Sequence, residues 1–161
     1  MPVREIIDYL ESNSVPYEII EHHTAFTAQG IAALTHTRGR SFAKTVMVFL
    51  DGVLTMVVAP ASYHVDLAML KAATGAATVS VASEAEFRDR FPGCETGAMP
   101  PFGHLYGLPV FADERLTREE SISFNAGSHR ELIRMSWKDF ARLAQPRVVH
   151  CTPWRSGIHA A

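Results

Sequence analysis

Cysteine is scarce in this chain. Cys94 and Cys151 are the two present in 161 residues. They form no C-x-x-C pair, so a disulfide-dense scaffold is excluded and a reduced, intracellular protein is the simplest reading. Long apolar runs are missing too. No stretch approaches the ~18 apolar residues of a membrane span. The first ten residues, MPVREIIDYL, carry acids and lack the apolar centre of a secretory signal. These absences predict a cytoplasmic protein with no membrane partner. Excess charge of either sign is lacking: 15 Lys and Arg stand against 17 Asp and Glu, a formal net charge of −2. The whole molecule therefore offers no electrostatic pull on nucleic acid. DNA is not an expected partner, and contact with RNA would need a local basic patch.

Catalytic signatures are absent as well. There is no G-x-S-x-G elbow, and neither cysteine lies in a catalytic signature. No Walker loop or G-x-G-x-x-G is present, so nucleotide cofactors have no signal. The eight histidines include His22-His23, His64 near Asp66, His104 and His129, but none forms H-E-x-x-H or another ligand spacing. No cofactor and no metal site is expected.

What is present suits one domain, drawn here as residues 1–145 with a loosely held tail from Pro146 to Ala161. The composition, 47% hydrophobic and 20% charged, is that of an ordinary globular protein able to bury a core. The chain centres on Arg40–Leu50. Val46–Leu50 is an unbroken apolar run with apolar side chains on both faces, which predicts a central strand covered on both sides. Lys44 enters that strand on the face of Phe42, Val46 and Val48. Its ammonium must either snorkel past the strand end or hold an anion in a pocket.

Around this strand the pattern predicts an opening amphipathic helix over 3–12, a strand over 15–22 and a helix capped by Thr27. Asp51-Gly52 between two apolar runs predicts a hairpin. Asp66 and Gly75 bracket a short helix. Ser83 and Glu86 make a capping box. Strands are expected at 78–81, 110–112, 121–125 and 131–135, and Ser136 caps a last helix over 137–144. Hairpins outnumber regular βα alternation, so the class is α+β: a mixed, largely antiparallel sheet, curled and barrel-like, surrounded by helices.

Residues 93–109 hold four glycines and three prolines together with Phe102, Leu105, Tyr106 and Leu108, side chains that would pack. This is a shaped loop of the kind that carries function on a rigid scaffold. Glycine exposes backbone N–H groups able to meet a carbonyl oxygen or a developing oxyanion. A nearby lysine can bind phosphate. The combination suits a phosphate-bearing carbonyl compound, while a plain turn and a snorkelling lysine remain open from the residues alone.

Four segments carry a family resemblance: His23-Thr-Ala-Phe-Thr27, Phe42-Ala-Lys44-Thr-Val46, Gly93-Cys-Glu-Thr-Gly97-Ala-Met-Pro-Pro101-Phe-Gly103, and Phe124-Asn-Ala-Gly-Ser-His129. Each is short, but their order, spacing and joint presence are specific. With them the chain resembles the YbaK / prolyl-tRNA-synthetase-associated domain family of aminoacyl-tRNA deacylases, from about Val15 to Leu143. The resemblance implies a free-standing hydrolase of mischarged tRNA, typically tRNA(Pro) carrying a small non-cognate amino acid such as Ala or Cys. A synthetase or elongation factor is an implied partner. By match, Lys44 engages the phosphate of the terminal adenosine. Gly97 and Ala98 supply oxyanion donors, and Pro101 closes the loop that orients the carbonyl. His129, with Phe26, Thr27 and Asp113, falls on the amino-acid pocket. No protein nucleophile is implied, because water attacks the ester. Two other readings stand beside this one. The first is a non-catalytic module that binds an aminoacyl-adenosine-like ligand or an aminoacyl-tRNA synthetase. The second is a deacylase for a non-tRNA acyl ester.

Overall fold

The centre of the fold is an antiparallel hairpin of β1 (Glu18–Glu21)'s successors in the chain, β2 (Ala43–Leu50) and β3 (Val53–Pro60), in which Ala43 faces Pro60 and Leu50 faces Val53. In this computed structural model, residues 4–21 and 39–153 are described. Asp51 and Gly52 turn the hairpin with φ of 48° and 80°. Two successive positive φ values are those of a turn that matches strand twist. Asp51 also accepts from the backbone N–H groups of Ala77 and Thr78, both at 2.8 Å. That ties the hairpin tip to β4 (Val79–Val81), which pairs antiparallel with β2.

On its other side β3 takes a parallel partner, β5 (Val110–Asp113), and β5 takes another, β8 (Arg147–Val149). The five-stranded sheet runs β4-β2-β3-β5-β8. A second, antiparallel sheet has the order β1-β7-β6, with β6 at Ser121–Asn125 and β7 at Glu131–Ser136. The two sheets touch through one isolated parallel bridge, Phe42 to Ser123.

Period-2 alternation decides what each face buries. Ala43, Met47, Leu54, Met56 and Val58 join the main core with Ile6 and Leu10 of α1 (Arg4–Ser12) and Phe140 of α4 (Trp137–Ala144). Val48, Leu50 and Val57 form a second cluster with Leu70 of α2 (Leu67–Thr74). The caps are those that the sequence predicts. The Asp66 carboxylate accepts from Met69 N, Ser136 Oγ accepts from Asp139 N, and both halves of the Ser83–Glu86 capping box form at α3 (Glu84–Phe87).

The architecture is the expected α+β, with four of its six strand pairings antiparallel. Three expectations change. The described strands form two separate sheets and no closed barrel. Phe42 leaves the face of Val46 and Val48 and packs with Ala61 and Leu132, because β2 meets the second sheet there. The first part of the tail is not loose: Arg147–Val149 is a strand, and Cys151 and Thr152 are fully buried.

Candidate active site

The glycine-proline loop is built as a turn on a buried anchor. Glu95–Ala98 closes through Ala98 N–H to Glu95 O at 3.0 Å. Gly97 is the third residue, with φ +86°. Thr96 is not among the residues of positive φ, so this is a type II turn, whose third position favours glycine. Glu95, Thr96 and Gly97 are exposed, whereas Ala98 to Gly103 are buried. Phe102 fixes the buried half, its ring 5.6 Å from that of Phe124 and 5.2 Å from that of Phe140 in edge-on contacts. Pro101 lies beside it, buried.

The β6–β7 connection docks directly on this turn. Glu95 N–H donates to Gly127 O at 2.8 Å, and Gly127 N–H donates to Ala98 O at 2.9 Å. His129 N–H donates to the Glu95 carboxylate at 3.2 Å, and His129 Nε2 lies 2.8 Å from Thr96 O. A carbonyl only accepts, so Nε2 carries the hydrogen. The imidazole therefore braces the turn from below and is not a base through that nitrogen. A Cβ on Gly97 would sit 3.4 Å from His129 Cε1. Two sequence-predicted segments, 93–103 and 124–129, thus form one interlocked unit.

The two expected oxyanion donors differ in state. Ala98 is fully buried and its N–H closes the turn, so it points inward to Glu95 O. Gly97 N–H lies 3.2 Å from Met99 Sδ, a weak acceptor that an oxyanion outcompetes.

Thr45 fastens the loop to β2, its Oγ1 donating to Met99 O at 3.1 Å. Strand alternation sends Lys44 to the opposite face, where Nζ donates to the carbonyl oxygen of Tyr63, on the segment after β3. Desolvation lowers the Lys44 pKa below that of an ordinary lysine. The unit of Gly97, Ala98, Pro101 and His129 is therefore assembled on one side of β2's first residues, and Lys44 is held on the other. Asp113 is not with them. It is fully buried, and its carboxylate accepts from Cys151 N at 3.0 Å, Thr152 Oγ1 at 2.9 Å and Arg115 N at 3.1 Å. Its oxygens serve the C-terminal segment. Phe26 and Thr27 lie outside the described residues.

Sequence reasoning missed Glu95, Thr45 and Tyr63. A lone Glu or Thr in such a pattern carries no spacing signal, and Tyr63 acts through its backbone. Among the described residues no group of three or more His, Cys, Asp or Glu is placed to hold a metal ion, and no helix is long and apolar enough to cross a membrane.

Comparison with known proteins places the chain in a family. The family model of the aminoacyl-tRNA editing domain matches residues 22–143. The chain belongs to that family. Its activity class is hydrolysis of the ester between amino acid and tRNA. Among curated proteins, the chain is similar to the Multifunctional Ser/Thr-tRNA deacylase ProXp-y of Escherichia coli (strain K12). The two are 27% identical over 152 residues, covering 91% of this chain and 90% of the relative. Two crystal structures share the fold. One is of a candidate trans-editing enzyme for prolyl tRNA synthetase, with TM-score 0.81 and 21% identity, covering 94% of this chain and 96% of that one. The other is of the hypothetical protein APE2540, with TM-score 0.82 and 17% identity, covering 93% and 100%.

Proposed function

We propose that this editing domain acts in trans on tRNA carrying a small non-cognate amino acid, with the type II turn at Glu95–Ala98 as its reacting edge. The observation that carries the reading is the interlock of that turn with His129, which leaves Gly97 exposed while the backbone on either side of it is hydrogen-bonded. Water attacks the ester carbonyl. The developing oxyanion displaces the Met99 thioether from the fixed Gly97 N–H, a donor of a kind worth about 3 kcal/mol. His129 contributes by holding the Thr96 carbonyl, and so the orientation of the Thr96–Gly97 peptide. Ala98 contributes through the turn it closes.

Lys44 binds the phosphate of the terminal adenosine. The 5′-phosphate and the 3′-ester leave the ribose at different ends, so a lysine and an oxyanion turn flanking the start of β2 suit one nucleotide spanning the strand end. Half-burial strengthens that charge pairing. Selection of a small side chain is steric, as in double-sieve editing.

The resemblance in sequence implies Ala or Cys on tRNA(Pro). The relative named a Ser/Thr-tRNA deacylase adds Ser and Thr, and at 27% identity it puts them first for testing. Choice of tRNA body is assigned to a partner synthetase or elongation factor. The test is release of Ser, Thr, Ala and Cys from their own tRNAs and from tRNA(Pro), by wild type and Lys44→Ala. One pair hydrolysed rapidly, and lost in a folded Lys44→Ala, is the expected result. Measurable binding of charged tRNA without lysine-dependent release from any pair would replace it with the binding-module reading.

A further inference from the structure

A network with no place in the reaction so far runs from Lys44 to the C-terminal segment. The Lys44 ammonium donates to Tyr63 O. The Tyr63 ring lies under the Arg115 guanidinium, 4.3 Å from centroid to Cζ. Arg115 is then held by the last described residues: Nε donates to Thr152 Oγ1 at 3.0 Å, and Nη2 donates to Thr152 O at 3.2 Å and Pro153 O at 3.0 Å. Thr152 Oγ1 in turn donates to the buried Asp113 carboxylate. The segment bearing Tyr63 is pinned at its far end by Asp66 N–H to Cys151 O, at 2.8 Å. Each link is a hydrogen bond except the guanidinium-on-ring contact between Arg115 and Tyr63.

We propose that Arg115, braced by Thr152 and Pro153, is a positioning residue that fixes the Tyr63 carbonyl and thereby aims the Lys44 ammonium at the substrate phosphate. The proposal rests on the reading of Lys44 as the phosphate-binding group. A guanidinium suits the task because its planar fork bonds the C-terminal carbonyls at its edge while its face stacks on tyrosine. A carbonyl that moves takes a half-buried ammonium with it, because Tyr63 O is the acceptor that Lys44 uses among the described residues. The C-terminal segment thus reaches the substrate site through two intermediates without touching substrate.

The test uses two hydrolysis-resistant probes, an amide-linked seryl-adenosine with a 5′-phosphate and the same compound without it, each titrated calorimetrically into the full chain. Wild type is expected to bind the phosphate-bearing probe about tenfold more tightly, the yield of a charge-assisted contact. Arg115→Leu reduces that ratio to about threefold or less while the phosphate-free probe binds as before. Thr152→Val, a gentler change, moves the ratio in the same direction and serves if Arg115→Leu does not fold. A merely structural role would weaken both probes alike, and that result, or an unchanged ratio in both variants, overturns the positioning role. A ratio in Lys44→Ala equal to wild type would instead overturn the reading of Lys44 itself, whatever Arg115 does.

Discussion

Gly97→Ala is the sharpest perturbation of the turn, because two outcomes compete and both can be measured. Gly97 has φ +86°, where an L-residue costs about 1–2 kcal/mol. Space is not the obstacle: the new Cβ would stand 3.4 Å from His129 Cε1 and 3.7 Å from Nε2, ordinary contact distances. The chain can either accept that backbone strain or relieve it by flipping the Thr96–Gly97 peptide to a type I turn. The flip removes the Thr96 O bond to His129, worth about 1 kcal/mol net, so neither escape is cheaper by much. Stability should therefore fall by about 1–2 kcal/mol whichever occurs, a shift in Tm of roughly 2–8 °C for a chain of this size. Activity separates them, since the same peptide carries the Gly97 N–H. A flipped population cannot offer that donor, and loss of an oxyanion donor costs about 100-fold in kcat. We expect a drop of about tenfold to 100-fold in single-turnover deacylation. Gly97→Asn, better tolerated at positive φ, should lose less of both. Wild-type kcat would mean that the chain keeps the strained turn; a Gly97→Ala crystal structure with the turn flipped to type I, together with wild-type kcat, would refute the oxyanion role of that N–H.

The C-terminal clamp gives two further outcomes. Asp113→Ala strands donors on Arg115, Cys151 and Thr152 in the interior, and urea unfolding should show a loss of about 3 kcal/mol or more. Asp113→Asn should lose less, having kept one acceptor oxygen. Cys151 is a buried thiol whose pKa is pushed from 9.0 up to about 12, first by desolvation and then by the Asp113 charge. A group whose folded pKa is raised contributes stability below its unfolded pKa, so this contribution is intact below pH 9 and lost as pH climbs toward 12. Native protein at pH 8 should accordingly resist alkylation at Cys151 and accept it once unfolded in urea, with peptide mass mapping as the readout. Rapid native labelling would show that the clamp opens.

Local chemistry was the legible part of this fold. Asp51-Gly52, Asp66, Ser83 with Glu86, and Ser136 each act within a few residues of their own position, so their turn and caps could be read directly. The interlock at Glu95–Ala98 was legible only as two suspicious segments. The bonds that join them, Glu95 to Gly127 and Thr96 to His129, cross more than thirty positions, and backbone partners leave no mark in side-chain pattern. Asp113 shows the same limit. An acid after a strand looks like a site residue until its partners at 151 and 152 are seen. The parallel pairings of β5 with β3 and β8 were hidden for a related reason. Three residues, Arg147–Val149, are too few for a period-2 signal, and Pro146 before them reads as a terminator.

The shortness of β4 and β8 has a consequence beyond the site. Among the described strands these three-residue elements are the two margins of the five-stranded sheet, and each turns an apolar side chain outward, Val81 on β4 and Val148 on β8. A longer flat margin with such side chains would be a template on which another molecule could add its own strand. Three residues leave too few open N–H and C=O groups for that addition to propagate. The long, strongly apolar hairpin strands are kept inside, and brevity at the rim guards the sheet against edge-to-edge self-association.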